Sequence, residues 1–332
     1  MLHARSYMHA TRPGYVTALD AAEQGEDWRS EVHSRRSGRT RRVPLVAACL
    51  CLLLVLRYTG MLRAARKCEC AAPSVLEQQL AAGAHPHPQL AALTDLVVVT
   101  GHAVFTGTDF SKAQDADSWY LEEYQQRQGP AVVDSFVEHI RVGVREAAAN
   151  PRAVLLFSGG ATRESAGPLS EALSYYRVAS ALGFFGDDDA LRARVHTEEY
   201  ARDSFENLLF SMCRFHELTG TWPRNVTVIG YAFKEVRFRS YHRAAIDFPA
   251  SRFHYIGTGV PNVEEAAAGE REVVQAWAGD PYACGADSEL AQKRHARDPF
   301  ARGVPYFGRC AALHGLLTHC GPQPYAGPLP WA

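Results

Sequence analysis

The sequence lacks a charge of one sign: 35 Lys+Arg face 36 Asp+Glu, a formal net of −1 over 332 residues. It also lacks the short motifs that would name a reaction at once. There is no Gly-x-x-x-x-Gly-Lys-Ser/Thr, so no phosphate loop of the common NTPase kind. No Gly-x-Ser-x-Gly occurs, which removes the nucleophile elbow of the α/β-hydrolases. His-Glu-x-x-His is missing too, and the 14 histidines are scattered, so no protein-supplied metal site is expected. Internal repeats are absent, which excludes solenoids and propellers. No charge-free run reaches the ~20 residues of an unaided membrane-spanning helix.

What is present is unevenly distributed. Residues 1–67 hold 12 Lys+Arg against 5 Asp+Glu, and the remainder 23 against 31. An acidic main body gives no footing to nucleic acid. Residues 1–42 have no sustained periodicity and read as a disordered basic tail. Val43 to Leu56 is apolar and is ended by Arg57. With Arg57 snorkelling to the interface, residues 43–62 reach spanning length and are expected to form a transmembrane or interfacial helix. Basic residues flank it on both sides, with a slight excess before it. A single-pass type II anchor in the endomembrane system is the expectation, and a cytoplasmic protein is the alternative. Residues 63–93 read as a stalk, 94–260 as the main domain, and 261–332 as an extension that packs on it. Eight cysteines leave the redox compartment open. Cys310-x3-His314-x4-His319-Cys320 matches no familiar zinc spacing, so a disulfide and plain packing remain alongside it.

From Asp95 onward apolar runs alternate with helical spacing. Leu96–Val99, Val154–Phe157, Val226–Ile229 and Phe253–Ile256 are short unbroken runs, and Arg194–Thr197 is a weaker fifth. Runs of this length suit strands buried on both faces. Between them, Phe136, Ile140, Val144 and Ala147 line one helix face, and Ala172, Tyr176, Ala179 and Leu182 a second. Phe205, Leu208, Leu209, Met212 and Phe215 mark a third. Such alternation requires right-handed crossovers and a mostly parallel sheet. The predicted fold is α/β, Rossmann-like and doubly wound, with five strands in the order 3-2-1-4-5. The long connection from Ala103 to Val132 is expected to be functional or self-packed.

In such sheets ligands bind beyond the carboxyl ends of the strands. The polar candidates lie there. Gly101 and His102 follow the first strand, and an imidazole is suited to moving protons near neutral pH. Ser158, Gly159 and Gly160 follow the second, as a tight turn or a backbone cradle for an anion. Glu199, Ser204, Glu206 and Asn207 crowd the turn after the third, where Asp203 and Glu206 also suit a helix cap. Lys234 and Arg237 follow the fourth. Cations in the first turns of a helix oppose its dipole by about 0.3–1 kcal/mol each unless an anion binds there. Together these point to a small anionic ligand, phosphate- or nucleotide-bearing, and to a transferase or hydrolase. A non-catalytic binding module with the same pocket is the second reading.

Val-Thr-Gly-His-Ala-Val, Ala-Asp-Ser-Trp-Tyr-Leu-Glu-Glu-Tyr-Gln, Phe-Ser-Gly-Gly-Ala-Thr-Arg, Thr-Glu-Glu-Tyr-Ala-Arg-Asp-Ser-Phe-Glu-Asn-Leu and Gly-Tyr-Ala-Phe-Lys-Glu-Val-Arg-Phe occur in this order. In this the chain resembles the domain-of-unknown-function 218 family, the SanA/YdcF-like proteins, and especially its eukaryotic branch. The resemblance implies a compact Rossmann-like domain and carries over Gly101, Ser158, Gly159, Gly160, Glu171, Glu199, Ser204, Glu206 and Asn207 as pocket residues. It also implies an adenosine-type ligand such as S-adenosylmethionine. Where the bacterial pattern often has a His after the fourth strand, this chain has Lys234 and Arg237.

Overall fold

A computed structural model describes residues 87–332. The expected tail 1–42, the apolar helix 43–62 and all but the last residues of the stalk lie outside the described residues. Among the described residues no helix is long and apolar enough to cross a membrane.

Five strands form one parallel sheet: β1 (Asp95–Thr100), β2 (Ala153–Ser158), β3 (Val195–Glu198), β4 (Asn225–Tyr231) and β5 (Phe253–Thr258). Their order across the sheet is 3-2-1-4-5, as expected, and every pairing is parallel. All six residues of β1 and all six of β2 are buried, which is why their runs are continuous rather than alternating. β3 has only four residues, two of them half-buried, so its run is weak.

The side chains of each central strand divide between two cores. Val97, Val99, Leu155, Phe157 and Ile229 pack with α1 (Val132–Ala149) and α2 (Glu171–Ala181). On the opposite face, Leu96, Val98, Val154, Leu156, Val226 and Val228 meet α3 (Ser204–Thr219) and the carboxyl-terminal extension. That extension brings α4 (Val263–Gly279) and α5 (Glu289–Ala296). Its last aromatic, Trp331, is buried and donates from Nε1 to the Ile246 carbonyl at 2.9 Å.

The buried face of α2 is turned from the one its spacing suggests. Tyr175 and Val178 are buried with Ala172 and Ala179, whereas Tyr176 and Leu182 are half-buried. The cause lies in the long connection before α1. There Val104–Phe105 and Trp119–Tyr120 form an antiparallel ribbon. The ribbon draws in Ser174, whose Oγ accepts from the Phe105 amide at 3.0 Å, and Tyr175, whose ring meets Trp119 edge-on at 6.0 Å. The connection is thus self-packed around Trp119, and its remaining part, Glu122–Gln128, reaches toward the strand ends.

Candidate functional site

Beyond the carboxyl ends of β1 and β4 lies a cavity of 810 Å³. These two strands are neighbours at the point where the strand order reverses, so the loops after them part and leave a crevice. Gly101–His102 form one wall and Tyr231–Arg237 the other. The start of α3 forms the floor on one side, and α4 and α5 close over it. The size suits a ligand as large as a nucleotide.

His102 stacks on Tyr231 with ring centroids 4.7 Å apart, and His139 meets it edge-on at 5.1 Å. The Lys234 ammonium stands 3.5 Å from His102 Nδ1 and over the Tyr231 ring. Burial, followed by the neighbouring Lys234 charge, holds the His102 imidazole well below its usual pKa. It is therefore neutral at physiological pH. As a neutral ring His102 can accept a proton or share a hydrogen bond, with a lower proton affinity than an ordinary imidazole. Lys234 is shifted in its turn, down to about 7, by burial and then by Arg237. No carboxylate lies within ion-pair distance of Lys234 among the described residues.

Arg237 is buried, and its guanidinium forms a two-pronged pair with Glu270 of α4, Nε to Oε1 at 2.8 Å. Its Nη1 donates to Ser204 Oγ at 3.3 Å. The same Ser204 oxygen lies 2.8 Å from His242 Nε2. Two residues five apart reach one hydroxyl because Arg237–His242 is wound as a π-helical turn. The i→i+5 pitch brings positions 237 and 242 to one side, where α-helical winding would splay them. Ser204 is the first residue of α3, so its own amide and that of Phe205 have no partner within the helix.

Ser158, Gly159 and Gly160 do not cradle an anion. The Gly159 amide donates to the Glu198 carbonyl and the Gly160 amide to that of Ala201. The Ser158 hydroxyl is fully buried against Glu198 Oε2 at 2.8 Å and Asn207 Oδ1 at 2.9 Å. Gly101 and Gly159 instead admit Glu171. A Cβ on Gly101 would meet Glu171 Cβ at 2.6 Å, and one on Gly159, at φ +154°, would meet Glu171 Oε2 at 2.6 Å. Glu171, which lines the cavity, also accepts from Thr162 Oγ1 at 2.9 Å.

Glu199 and Glu206, which from the sequence are further candidates to move protons, are engaged elsewhere. Glu199 accepts from the Ser170 hydroxyl at 2.7 Å and the Thr197 hydroxyl at 2.9 Å, fastening the cap of α2 to β3. Glu206 takes the Arg202 amide and guanidinium, both at 2.9 Å, at the cap of α3. Neither lines the cavity. The carboxyl poised near neutrality is Glu198, pushed up to about 7 chiefly by burial. It too lies beneath the cavity, held by the Tyr200 amide and near Tyr306 Oη.

Of the expected residues, the cavity thus gathers Gly101, His102, Glu171, Ser204, Asn207, Lys234 and Arg237. It leaves Ser158, Gly159, Gly160, Glu199 and Glu206 beneath or beside it. Sequence reasoning missed Arg163, Lys293, Arg294, Arg297 and His242. The run Lys293-Arg-His-Ala-Arg297 was the available signal for three of them. Lys293 and Arg297, like Lys234, line the cavity without a carboxylate partner among the described residues. Arg163 is tied to Glu122 at 3.1 Å and lies near Glu171. Arg294 binds Asp203 at 2.5 Å. No cluster of three or more His, Cys, Asp or Glu that could hold a metal ion occurs among the described residues.

The chain is similar to an uncharacterised protein, YOR238W, of Saccharomyces cerevisiae (strain ATCC 204508 / S288c). The two are 26% identical over 264 residues, covering 64% of this chain and 86% of the relative. No protein-family model matches the chain, and no solved structure does.

Proposed function

We propose that the cavity binds a small anionic ligand bearing phosphate, and that the protein is a transferase or hydrolase acting on it. The observation that carries this reading is Lys234. A cation drawn into a cavity without a carboxylate counterion is costly unless something of opposite charge arrives. Lys293 and Arg297 face the same space, and the ammonium of Lys293 is itself lowered by partial desolvation and by Arg297, Arg237 and Arg163. Tyr124 and Phe233 add aromatic surface that a nucleoside base could stack upon. The resemblance to the SanA/YdcF-like family adds S-adenosylmethionine to the ligands worth trying.

Two cysteine pairs in the described part support a setting on the oxidising side of a membrane, anchored through residues 43–62. Glu199 and Glu206 are bound up in helix caps, which favours the binding module as the second reading; turnover of a ligand once found separates the two.

The test is thermal shift of the purified protein with inorganic phosphate, pyrophosphate, ATP, S-adenosylmethionine and a polyprenyl phosphate. Phosphate-bearing compounds should raise the melting temperature beyond matched concentrations of chloride. Lys234→Met combined with Arg297→Ala should abolish the rise. Equal shifts in the parent and the double variant would overturn the anion reading.

A further inference from the structure

We propose that Ser204 is a nucleophile, with His242 as its proton acceptor, and that the cavity carries out phosphoryl transfer through a phosphoserine at this position. The inference rests on the anion-binding reading for the class of substrate, while the activation of Ser204 stands on its own geometry.

Three features converge on one oxygen. His242 Nε2 is 2.8 Å from Ser204 Oγ, within reach for direct proton transfer. Arg237 Nη1 donates to the same oxygen at 3.3 Å. With one lone pair of Oγ so occupied, the hydroxyl proton is free to point at Nε2. Ser204 also opens a 16-residue helix, so the positive end of the helix dipole lies at this residue and favours negative charge developing there. Ser204 lines the cavity and is half-buried, so the residue is within reach of a ligand. Its partner is not: His242 is fully buried, packed edge-on between Phe238 at 5.1 Å and Trp277 at 4.5 Å.

That packing fixes the ring. Nδ1 of His242 is buried without a hydrogen-bond partner, so no carboxylate orients the imidazole as in a triad. The arrangement is a dyad whose geometry comes from aromatic walls and the π-helical turn. Burial, with the Arg237 charge beside it, lowers the proton affinity of His242, so the ring is neutral with a lone pair at hand and readily returns any proton it takes.

Phosphoryl chemistry fits better than acyl chemistry because of charge. An acyl carbonyl is neutral and needs only two donors for its oxyanion, whereas a phosphoester brings negative oxygens. Lys234 and Arg297 line the same cavity without carboxylate partners. The step runs as follows. Oγ of Ser204 forms a bond to phosphorus while its proton passes to His242 Nε2. The bond from phosphorus to the leaving oxygen, in line on the far side, breaks, and that oxygen takes a proton from water in the cavity. A second water then attacks the phosphoserine in line and gives its proton to the cavity water, while the Oγ–phosphorus bond breaks and Oγ takes its own proton back from His242 Nε2. The net reaction is hydrolysis of one phosphoester bond; an alcohol in place of water makes it a transfer.

The experiment uses diisopropyl fluorophosphate on the full-length protein, read by intact mass and peptide mapping. This probe is uncharged, so it reports an activated serine without needing the anion site. One adduct on Ser204 is expected, absent in Ser204→Ala and formed at least ten-fold more slowly in His242→Gln. Since His242 is buried, a second measurement uses the parent protein alone: saturating pyrophosphate should slow labelling of Ser204. A folded parent protein that takes no label on Ser204 overturns the nucleophile, even where pyrophosphate still raises its melting temperature. A labelling rate unchanged in a folded His242→Gln variant overturns the dyad. Labelling retained in a protein that no phosphate compound stabilises would instead sink the anion reading and leave the activated serine standing.

Discussion

Lys234 shows at the scale of one residue how function can be read from a cost. Its ammonium titrates near 7 in the folded chain against an ordinary 10.5. Between those values the folded state binds fewer protons than the unfolded one, so stability rises with pH across the window. The penalty is present in full below pH 7 and fades toward 10.5. Lys234→Met should therefore melt at a higher temperature than the parent at pH 7, with the gain vanishing as pH approaches 10.5. Melting temperatures of both proteins over that range check this; a difference independent of pH would mean the ammonium is not desolvated. Ligand binding should move oppositely, because the variant lacks the charge that meets the anion. Glu198 runs the other way in stability. Its folded value near 7 lies above the usual 4.5, so its contribution is lost as pH rises from 4.5 to about 7.

The element that decides the site is the start of α3. Asp203 caps it, accepting from the Glu206 amide at 3.0 Å through one oxygen and from Arg294 at 2.5 Å through the other. One carboxylate thus orients the helix that presents Ser204 and holds down the helix α5 that brings Lys293 and Arg297. Asp203→Asn keeps an oxygen for the amide but loses the charge; Asp203→Ala loses both. The alanine variant should be less stable than the asparagine one by about 0.5–2 kcal/mol, the usual worth of such a cap. Urea denaturation measures the difference. Both variants should bind phosphate compounds more weakly than the parent, since both remove the charge that pairs with Arg294. A single stability for the two variants would show that the cap contributes nothing.

Across the whole molecule the extension is tied to α3 by one disulfide as well as by packing, and a second disulfide lies within the extension. Cys213 of α3 is joined to Cys310, and Cys284 to Cys320, each pair with Cα atoms 5.7 Å apart. The pairs close stretches with sequence separations of 97 and 36 residues. Links of this kind stabilise by roughly 2–4 kcal/mol each, mainly by restricting the unfolded chain. Reductant should accordingly lower the melting temperature, and limited proteolysis should then cut first after residue 260. A melting temperature indifferent to reductant would show that the cysteines are not paired in solution. The bonded Cys284 and Cys310 flank α5, so reduction, which frees both ends of that stretch, should also weaken pyrophosphate binding.

Sequence alone determined the strands and the helices between them, because burial on both faces writes itself locally as continuous apolar runs and helical spacing; the sheet order was taken as the common one for such an alternation, and the structure has it. β1 and β2 were legible for that reason, and even β3, short and half-buried, was visible by its place in the alternation. It also brought Gly101, His102, Ser204, Lys234 and Arg237 to one end of the sheet, since every strand of a parallel sheet ends on the same side. What the tertiary structure alone decided is which polar groups face the cavity. Glu198, Glu199 and Glu206 sit within nine residues and look alike in sequence, yet Glu198 and Glu199 are consumed by Ser158 and Ser170, 40 and 29 residues away, and Glu206 by Arg202 in its own cap. Ser204 meets His242 across 38 residues, and Cys213 meets Cys310 across 97. No local pattern encodes such meetings: they depend on how the crossovers and the extension pack, and packing is a property of the folded whole.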